Sequence, residues 1–211
     1  MANFQTSFNL IEFLEFNSPE NALEKNPGER GLTFMGIYQL AHPHSKIWDL
    51  VLKEAKKYLP HLNNKEKLWT IPGKIRGKIG KKLYSTPEAL EEVQKIYRRE
   101  YWDKIRGDDI ESQKVANRLF AFAVNAGVKR SSKLLQKIVG VREDGIIGKI
   151  TLGALNSIPT PGVVSKGFDL GMESYYKGLV INKPKYKIYL KGWLNRIKKI
   201  EEFERGKEKG L

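Results

Sequence analysis

One carboxylate stands out among the side chains that could perform chemistry. Glu15 ends an apolar segment, with Phe13, Leu14 and Phe16 beside it and a polar segment after it. Packing of the aromatic rings would remove water from the carboxyl group, and the negative end of a helix would disfavour its charged form. Both effects favour a protonated carboxyl group, as a general acid requires. The alternative is an ordinary solvated glutamate on an amphipathic helix.

Other kinds of catalytic site have little support in the sequence. The chain has no Cys, which excludes a thiol nucleophile, an iron–sulfur cluster and a cysteine zinc site. His42 and His44 have no carboxylate motif beside them, so we interpret them as a loop pair and expect no metal and no other cofactor. Patterns typical of serine hydrolases, zinc proteases and nucleotide-binding loops are also missing. Any catalytic chemistry is therefore expected from carboxylates and hydroxyls.

The 211 residues carry a formal net charge of +14, which favours polyanionic partners such as nucleic acid, anionic membranes and acidic wall polymers. The densest basic run lies at 74–82, inside a long connection over 60–86. We interpret this run as a solvated, flexible loop, with an anion-contacting loop as the alternative. No nucleic-acid recognition motif accompanies the charge, so we expect no nucleic-acid partner.

Hydrophobic periodicity predicts a mainly α fold, since helical stripes recur along most of the chain and strand signals are scarce. A second helix is expected to begin near Thr33 and to break at Pro43, and Thr151 is expected to cap a short helix. Turn residues over 17–33 predict a loop or a small β-hairpin. The principal predicted helices cover about 8–16, 47–59, 86–102, 112–125, 131–139, 163–179 and the segment from 185 onward.

An ordered series of motifs resembles glycoside hydrolase family 108. Residues 14–17, 27–28 and 31–37 resemble the family's opening signature, a Glu-Gly-Gly-Tyr stretch followed by Asp-Pro-Gly-Gly and Thr-x-x-Gly-Ile. Residues 101–109 and 120–127 resemble its Tyr-Trp-Asp element and its Val-Asn-containing helix. Residues 135–152 and 192–196 resemble a predicted peptidoglycan-binding region. Members are N-acetylmuramidases, among them phage endolysins and bacterial secretion activator proteins.

The resemblance implies a lysozyme-like helical fold with two lobes. These are a catalytic lobe over 1–95 and a helical lobe over 96–211 that includes the peptidoglycan-binding region. It implies Glu15 as the proton donor of glycoside hydrolysis. Thr33 is then the catalytic hydroxyl that holds a water, and the expected substrate contacts are Tyr38, Trp102 and Asn125.

Two departures from the family signature leave the second acid open. The two glycines after the catalytic glutamate are replaced by Phe16 and Asn17, and the aspartate before Pro-Gly is Asn26. A second carboxylate could come from the same segment, where Glu20, Glu24 and Glu29 lie; Glu24 and Glu29 are the candidates that we retain.

The implied activity is that of a phage-type endolysin, which hydrolyses the β-1,4 bond between N-acetylmuramic acid and N-acetylglucosamine in peptidoglycan. The alternatives are a non-catalytic wall-binding or secretion-assisting protein on the same scaffold, and a basic helical protein that binds nucleic acid. Peptidoglycan is the expected partner, an anionic membrane or outer-envelope surface is a second candidate, and we expect a monomer. The first residues do not resemble a secretion signal. We therefore expect synthesis in the cytoplasm and action on the cell wall after release.

Overall fold

A computed structural model of the chain describes residues 1–16 and 18–208. The predicted mainly α fold of lysozyme-like type is confirmed, with one small antiparallel sheet. None of the helices within the described residues is long and apolar enough to cross a membrane. In chain order the helices are α1 (Phe4–Glu15), α2 (Ile47–Ala55), α3 (Gly73–Tyr84), α4 (Pro87–Tyr97), α5 (Gln113–Ala126), α6 (Val128–Ile138), α7 (Lys149–Asn156), α8 (Pro161–Asn182) and α9 (Lys187–Glu208).

The sheet consists of three two-residue strands, β1 (Leu23–Glu24), β2 (Thr33–Phe34) and β3 (Ile37–Tyr38), paired antiparallel in the order β1-β2-β3. The predicted hairpin near 17–33 is thus confirmed and gains a third strand. The helix predicted to begin near Thr33 is wrong. Met35 and Gly36 have φ values of 44° and 78°, which are typical of the two-residue turn that joins antiparallel strands.

The described residues form two compact units. One comprises residues 15–97, with the sheet and helices α2 to α4. The other comprises residues 1–14 together with the described chain from Arg98 onward, whereas the sequence analysis placed the whole of 1–95 in one lobe. The first residues join the C-terminal unit because the Phe4 ring contacts Trp102 and Phe120, with centroids 5.7 and 6.0 Å apart. The Ser7 hydroxyl also donates a 2.8 Å hydrogen bond to Asn117 Oδ1.

A buried ion cluster holds three helices of the C-terminal unit together. The Arg118 guanidinium donates to both carboxylate oxygens of Asp169 at 2.9 and 3.2 Å, and to both of Glu204 at 2.9 Å. Burial raises the pKa of Asp169. Burial alone would lower the pKa of Arg118, but its hydrogen bonds to the two carboxylates raise it instead. Since Arg118 belongs to α5, Asp169 to α8 and Glu204 to α9, the cluster fixes these helices side by side.

The basic run at 74–82 is helical, so the prediction of a flexible loop is wrong there. It lies within α3, and a 3₁₀ helix at Lys65–Thr70 occupies another part of the expected connection. Ile79 and Leu83 follow each other at helical spacing and are buried. The helical spacing of these apolar residues is difficult to recognise in the sequence. The helix has only one narrow apolar side, and lysines occupy its solvent-facing positions.

Helix α3 lies against β1 at a distance that admits only a glycine. A Cβ atom at Gly80 would lie 2.9 Å from the backbone nitrogen of Leu23 and 3.3 Å from the carbonyl oxygen of Pro19. Both are backbone atoms, which cannot turn aside as a flexible side chain can. Gly80 therefore sets how closely α3 supports β1 and the 3₁₀ turn Pro19–Asn21 that precedes it.

We expect Gly80→Ala to destabilise the unit of residues 15–97 by about 1–3 kcal/mol, because the new methyl group must displace β1. The matched control is Gly77→Ala in the same helix. There a Cβ atom meets nothing closer than the Glu20 carbonyl oxygen at 3.7 Å. The control should gain about 0.5–1 kcal/mol from its better helix propensity. Urea unfolding followed by circular dichroism measures both changes, and shifts of equal sign and size would contradict the proposed close contact.

Candidate active site

A cleft of about 320 Å³ opens beside the C-terminal end of α1. Its lining includes Glu15, Glu24, Asn26 and Thr33, and the turn at Met35 and Gly36 forms another part of its wall. Thus Glu15, Thr33 and Glu24, three of the residues predicted from the sequence, border one cavity. A fourth, Glu29, is hydrogen-bonded to residues of this lining.

Glu15 is exposed, unlike the shielded carboxyl group that its aromatic neighbours predicted. Phe13 is itself 39% exposed, and its ring lies beside that of Phe203, with centroids 5.8 Å apart. Phe16 is half-buried and shares the cleft lining with Glu15. The difference arises because α1 ends at Glu15, so no further helical turn covers this side chain. The carboxyl group therefore has access both to the cleft and to water.

Glu29 is held by two side chains of the cleft lining. Asn26 Nδ2 donates to Glu29 Oε2 at 3.0 Å, and Thr33 Oγ1 donates to the same oxygen at 3.1 Å. Asn26 Nδ2 also lies 3.5 Å from Thr33 Oγ1, which closes a small ring of polar groups. Since Thr33 uses its proton toward Glu29, its oxygen retains acceptor capacity for a water or a sugar hydroxyl.

Strand register brings two further predicted residues to Thr33. The Cα partners across the sheet are Glu24 with Thr33 and Thr33 with Tyr38. Directly opposed residues of antiparallel strands point to the same face, so these three side chains form one row across the sheet. The adjacent row, Leu23, Phe34 and Ile37, is buried. The sheet thus turns its apolar face to the core and its polar row toward the side of the cleft.

The turn between β2 and β3 is clamped from α4. Tyr97 donates its hydroxyl proton to the carbonyl oxygen of Met35 over 3.1 Å. A Cβ atom at Gly36 would lie only 2.5 Å from the same hydroxyl oxygen. The left-handed conformation of Met35 is costly for a side chain other than glycine, and the Tyr97 hydrogen bond helps to maintain it. The wall of the cleft at this point is therefore rigidly placed.

The remaining two predicted substrate contacts, Trp102 and Asn125, belong to the C-terminal unit. Trp102 is fully buried; its ring packs edge-on against Phe120, and its indole nitrogen donates to Asp108 Oδ1 at 2.8 Å. This position gives no support to the prediction that Trp102 stacks on a sugar ring. Asn125 is exposed, and its Oδ1 accepts a 2.8 Å hydrogen bond from the Tyr176 hydroxyl.

A second, polar cavity of about 350 Å³ shares Asn21, Glu24 and Asn26 with the cleft and extends it toward α3. Lys25 lines this second cavity, and its ammonium group lies 4.7 Å from the ring centroid of Trp69. Trp69 is 45% exposed. This ring is not among the residues predicted from the sequence, because Trp69 lies in the basic segment interpreted as a loop. The available signal was a single large aromatic residue among polar neighbours.

Comparison with known proteins assigns the chain to a family. The family model described as Glycosyl hydrolase 108 matches residues 20–127, slightly more than half of the chain. The chain belongs to glycosyl hydrolase family 108. A second family model, described as Predicted Peptidoglycan domain, matches residues 130–198. This member of family 108 is therefore a glycoside hydrolase, and its C-terminal region supports peptidoglycan as its partner.

A solved structure titled "Structure of Brucella abortus SagA" is similar to this family 108 chain. It shares 24% sequence identity with a TM-score of 0.59, over 94% of this chain and 91% of that chain. At this identity the likeness shows the fold. A search of curated protein sequences found no match.

The family match covers only some of the candidate carboxylates. It begins at residue 20, so it includes Glu20, Glu24 and Glu29 and leaves out Glu15. Glu20 does not line the cleft and pairs with Lys81 at 3.1 Å, and the pKa of Glu20 is lowered by a backbone hydrogen bond and by Lys81. The assignment of Glu15 therefore depends on its position at the cleft and on its place in the opening motif.

Proposed function

We propose that the chain is a muramidase that hydrolyses the β-1,4 bond between N-acetylmuramic acid and N-acetylglucosamine in peptidoglycan. The observation that carries this proposal is the cleft in which Glu15 and Glu24 lie with the Asn26–Thr33 pair that holds Glu29. Glycoside hydrolysis needs a proton donor for the leaving oxygen and a second group that assists attack on the sugar. Carboxylates and a hydroxyl around one polar cleft supply both functions.

In this proposal Glu15 is the general acid. It is the first residue of the unit that contains the cleft, and it lies at a helix end where the side chain can reach the glycosidic oxygen of a bound glycan. During bond cleavage the Glu15 proton passes to the leaving oxygen, while positive charge develops at the sugar carbon. The exposure of Glu15 allows it to exchange protons with water between turnovers.

Glu29 is the second acid that the hydrogen bonds favour. Asn26 and Thr33 hold one of its oxygens, and the Thr33 oxygen can accept a hydrogen bond from the attacking water. A carboxylate that acts through a positioned water fits the arrangement of an inverting glycosidase. Glu24, which opposes Thr33 across the strand pair, is the alternative second acid.

Two aromatic rings are suited to hold the glycan. Tyr38 lies beside Thr33 in the polar row of the sheet, and the Trp69 ring lies under the ammonium group of Lys25, which lines the second cavity. Half-exposed rings present an apolar face and a polar edge, which suits the apolar faces and hydroxyl rims of sugars. Trp69 therefore takes the stacking role that the sequence analysis gave to Trp102. The role of Asn125 as a sugar contact stays a prediction that the geometry of the cleft does not support.

Glu15→Gln should reduce the release of reducing sugars from purified sacculi by about 10²–10⁴-fold, the usual contribution of a general acid. The melting temperature should stay unchanged because the side chain is exposed. Mass spectrometry of the released fragments identifies the bond that the wild-type protein cleaves. Glu91→Gln is the matched control, since Glu91 is an exposed carboxylate of the same unit that pairs with Lys95 and lines neither cavity, and it should keep wild-type activity.

The same series separates the alternatives. Loss of activity in Glu29→Gln with retention in Glu24→Gln supports Glu29 as the base, and the reverse result assigns that role to Glu24. Full activity of Glu15→Gln would overturn the assignment of the acid. If the wild-type protein binds sacculi but releases no sugar, the chain is instead the non-catalytic wall-binding protein that the altered family signature would permit.

Thr33→Val should lower kcat by about 10²-fold, because a water that has lost its positioning group attacks poorly. Thr33→Ser, which keeps the hydroxyl, should retain most of the activity. Both variants need thermal unfolding measured beside the kinetics. Full activity of Thr33→Val would show that the hydroxyl does not hold the water, and a loss confined to Thr33→Ser would mean that the methyl group of Thr33 matters through packing.

Trp69→Ala should raise KM for soluble glycan fragments by roughly tenfold with little change in kcat, because stacking stabilises the bound substrate and the transition state alike. Tyr58→Ala is a matched control in the same unit. Tyr58 is 40% exposed and also lies under a lysine, with Lys78 Nζ 5.5 Å from its ring centroid. Lys78 lines neither cavity, whereas Lys25 above Trp69 lines the second one, so the loss of Tyr58 should leave KM unchanged. A lowered kcat with unchanged KM in Trp69→Ala would contradict the stacking role.

We further propose that the protein acts as an endolysin, which is made in the cytoplasm and reaches the wall after release. The supporting observations are the family 108 match followed by the peptidoglycan-domain match, and the net charge of +14. A cationic enzyme is attracted to the anionic wall over long distances. The sacculus assay above tests the wall-degrading activity on which the endolysin role depends.

A further inference from the structure

The positive charge of the chain is concentrated in one segment. Residues 174–200 contain seven Lys and one Arg and no Asp or Glu, so they supply +8 of the total +14. The segment covers the second part of α8, the short link after it and the first part of α9. Acidic residues reappear only outside it, at Glu173 and Glu201.

Helices α8 and α9 form an antiparallel hairpin. Near the link the Tyr176 ring stacks on Trp193, with centroids 5.3 Å apart and an interplanar angle of 21°. Farther from the link, Arg118 bridges Asp169 of α8 and Glu204 of α9. Contacts between α8 and α9 at two increasing distances from the link show that the two helices run antiparallel. Residues 181–191, which contain the link, are therefore the end of the hairpin, and we call them the hairpin tip.

The hairpin tip exposes large apolar side chains. Ile181 is 79% exposed, Ile188 is 77% exposed and Tyr189 is 53% exposed. One exposed isoleucine needs no explanation, but two isoleucines and a tyrosine exposed within nine residues give this end of the hairpin several large apolar side chains. The contact shown between the two helices near the link is the stacking of Tyr176 on Trp193, whereas Ile181 and Ile188 keep most of their surface exposed.

Lysines are interspersed with these apolar side chains along the hairpin tip. Lys183, Lys185, Lys187 and Lys191 are exposed, and among the residues that the structure describes none of the four forms an ion pair with a carboxylate. Lys183 and Lys185 place their ammonium groups 5.7 and 5.8 Å from the ring centroid of Tyr186. The tip thus offers ammonium groups that carry no carboxylate partner, together with aliphatic and aromatic surface.

We propose that the hairpin tip binds the surface of an anionic lipid bilayer. Lysines attract anionic headgroups, isoleucines gain free energy by entering the boundary between headgroups and acyl chains, and tyrosines prefer that interface. A wall glycan would meet the lysines equally well. It offers little to two aliphatic side chains, which can neither hydrogen-bond nor stack, and these side chains favour lipid.

The test is co-sedimentation of the full-length protein with vesicles of phosphatidylcholine alone and with vesicles that contain an equal amount of phosphatidylglycerol. We expect binding only to the anionic vesicles. Ile181→Ser with Ile188→Ser should weaken that binding by about tenfold or more, since two buried aliphatic side chains are lost from the interface. The double variant should keep the circular dichroism spectrum of the wild type.

The matched control is Ile146→Ser with Ile150→Ser, which removes two other exposed isoleucines of the same unit, 72% and 80% exposed. It should bind vesicles as the wild type does. Three results would overturn the proposal: absence of wild-type binding to anionic vesicles, an equal loss in the control, or a tip variant that loses binding to purified sacculi but keeps vesicle binding. None of these readouts requires catalysis, so failure of the muramidase proposal remains distinguishable.

Discussion

The close approach of α3 to β1 at Gly80 governs the geometry of the cleft. A strand of two residues makes too few hydrogen bonds to stay ordered alone, so β1 needs an external support. The helix supplies it by placing its backbone where a side chain at Gly80 would strike Leu23. Once β1 is fixed, its register with β2 places Glu24 opposite Thr33, and the polar row of the sheet follows. The candidate chemistry thus depends on a contact that itself contains no reactive group.

The departure from the family signature at Asn26 has a physical counterpart in the structure. An aspartate at this position would bring a second negative charge to within about hydrogen-bond distance of Glu29, where like charges disfavour each other. The amide of Asn26 instead donates to Glu29 Oε2. The carboxylate of the family's aspartate is therefore lost, but the Asn26 that replaces it anchors the carboxylate of Glu29. An acid thus remains beside Thr33. The signature aspartate can thus be replaced by Asn26 while Glu29 keeps a negative charge at this place.

Sequence reasoning predicted helices well where apolar spacing and chain breakers agree. Pro87 and Pro161 each occupy a first helical turn, and Pro184 follows the end of α8. It failed where one side of a helix is narrow and the rest is basic, as in α3. It also failed near Thr33, because the turn depends on left-handed Met35, a conformation that residue type does not reveal. Trp102 shows the same limit for the site: residue type suggested sugar stacking, but burial depends on the tertiary packing of Phe4 and Phe120.

The distribution of charge along the α8–α9 hairpin argues against a uniform role for the positive surface. At its base, carboxylates are abundant and two of them are buried against Arg118. Toward the tip, carboxylates disappear and lysines remain exposed. Repulsion among like charges is a cost that a purely structural hairpin could avoid by interspersing acids, as α8 does where Glu173 pairs with Lys177 at 2.6 Å. Because the buried cluster anchors the base, the tip can carry unbalanced charge without loosening the hairpin, and an anionic surface is the partner that would offset this repulsion.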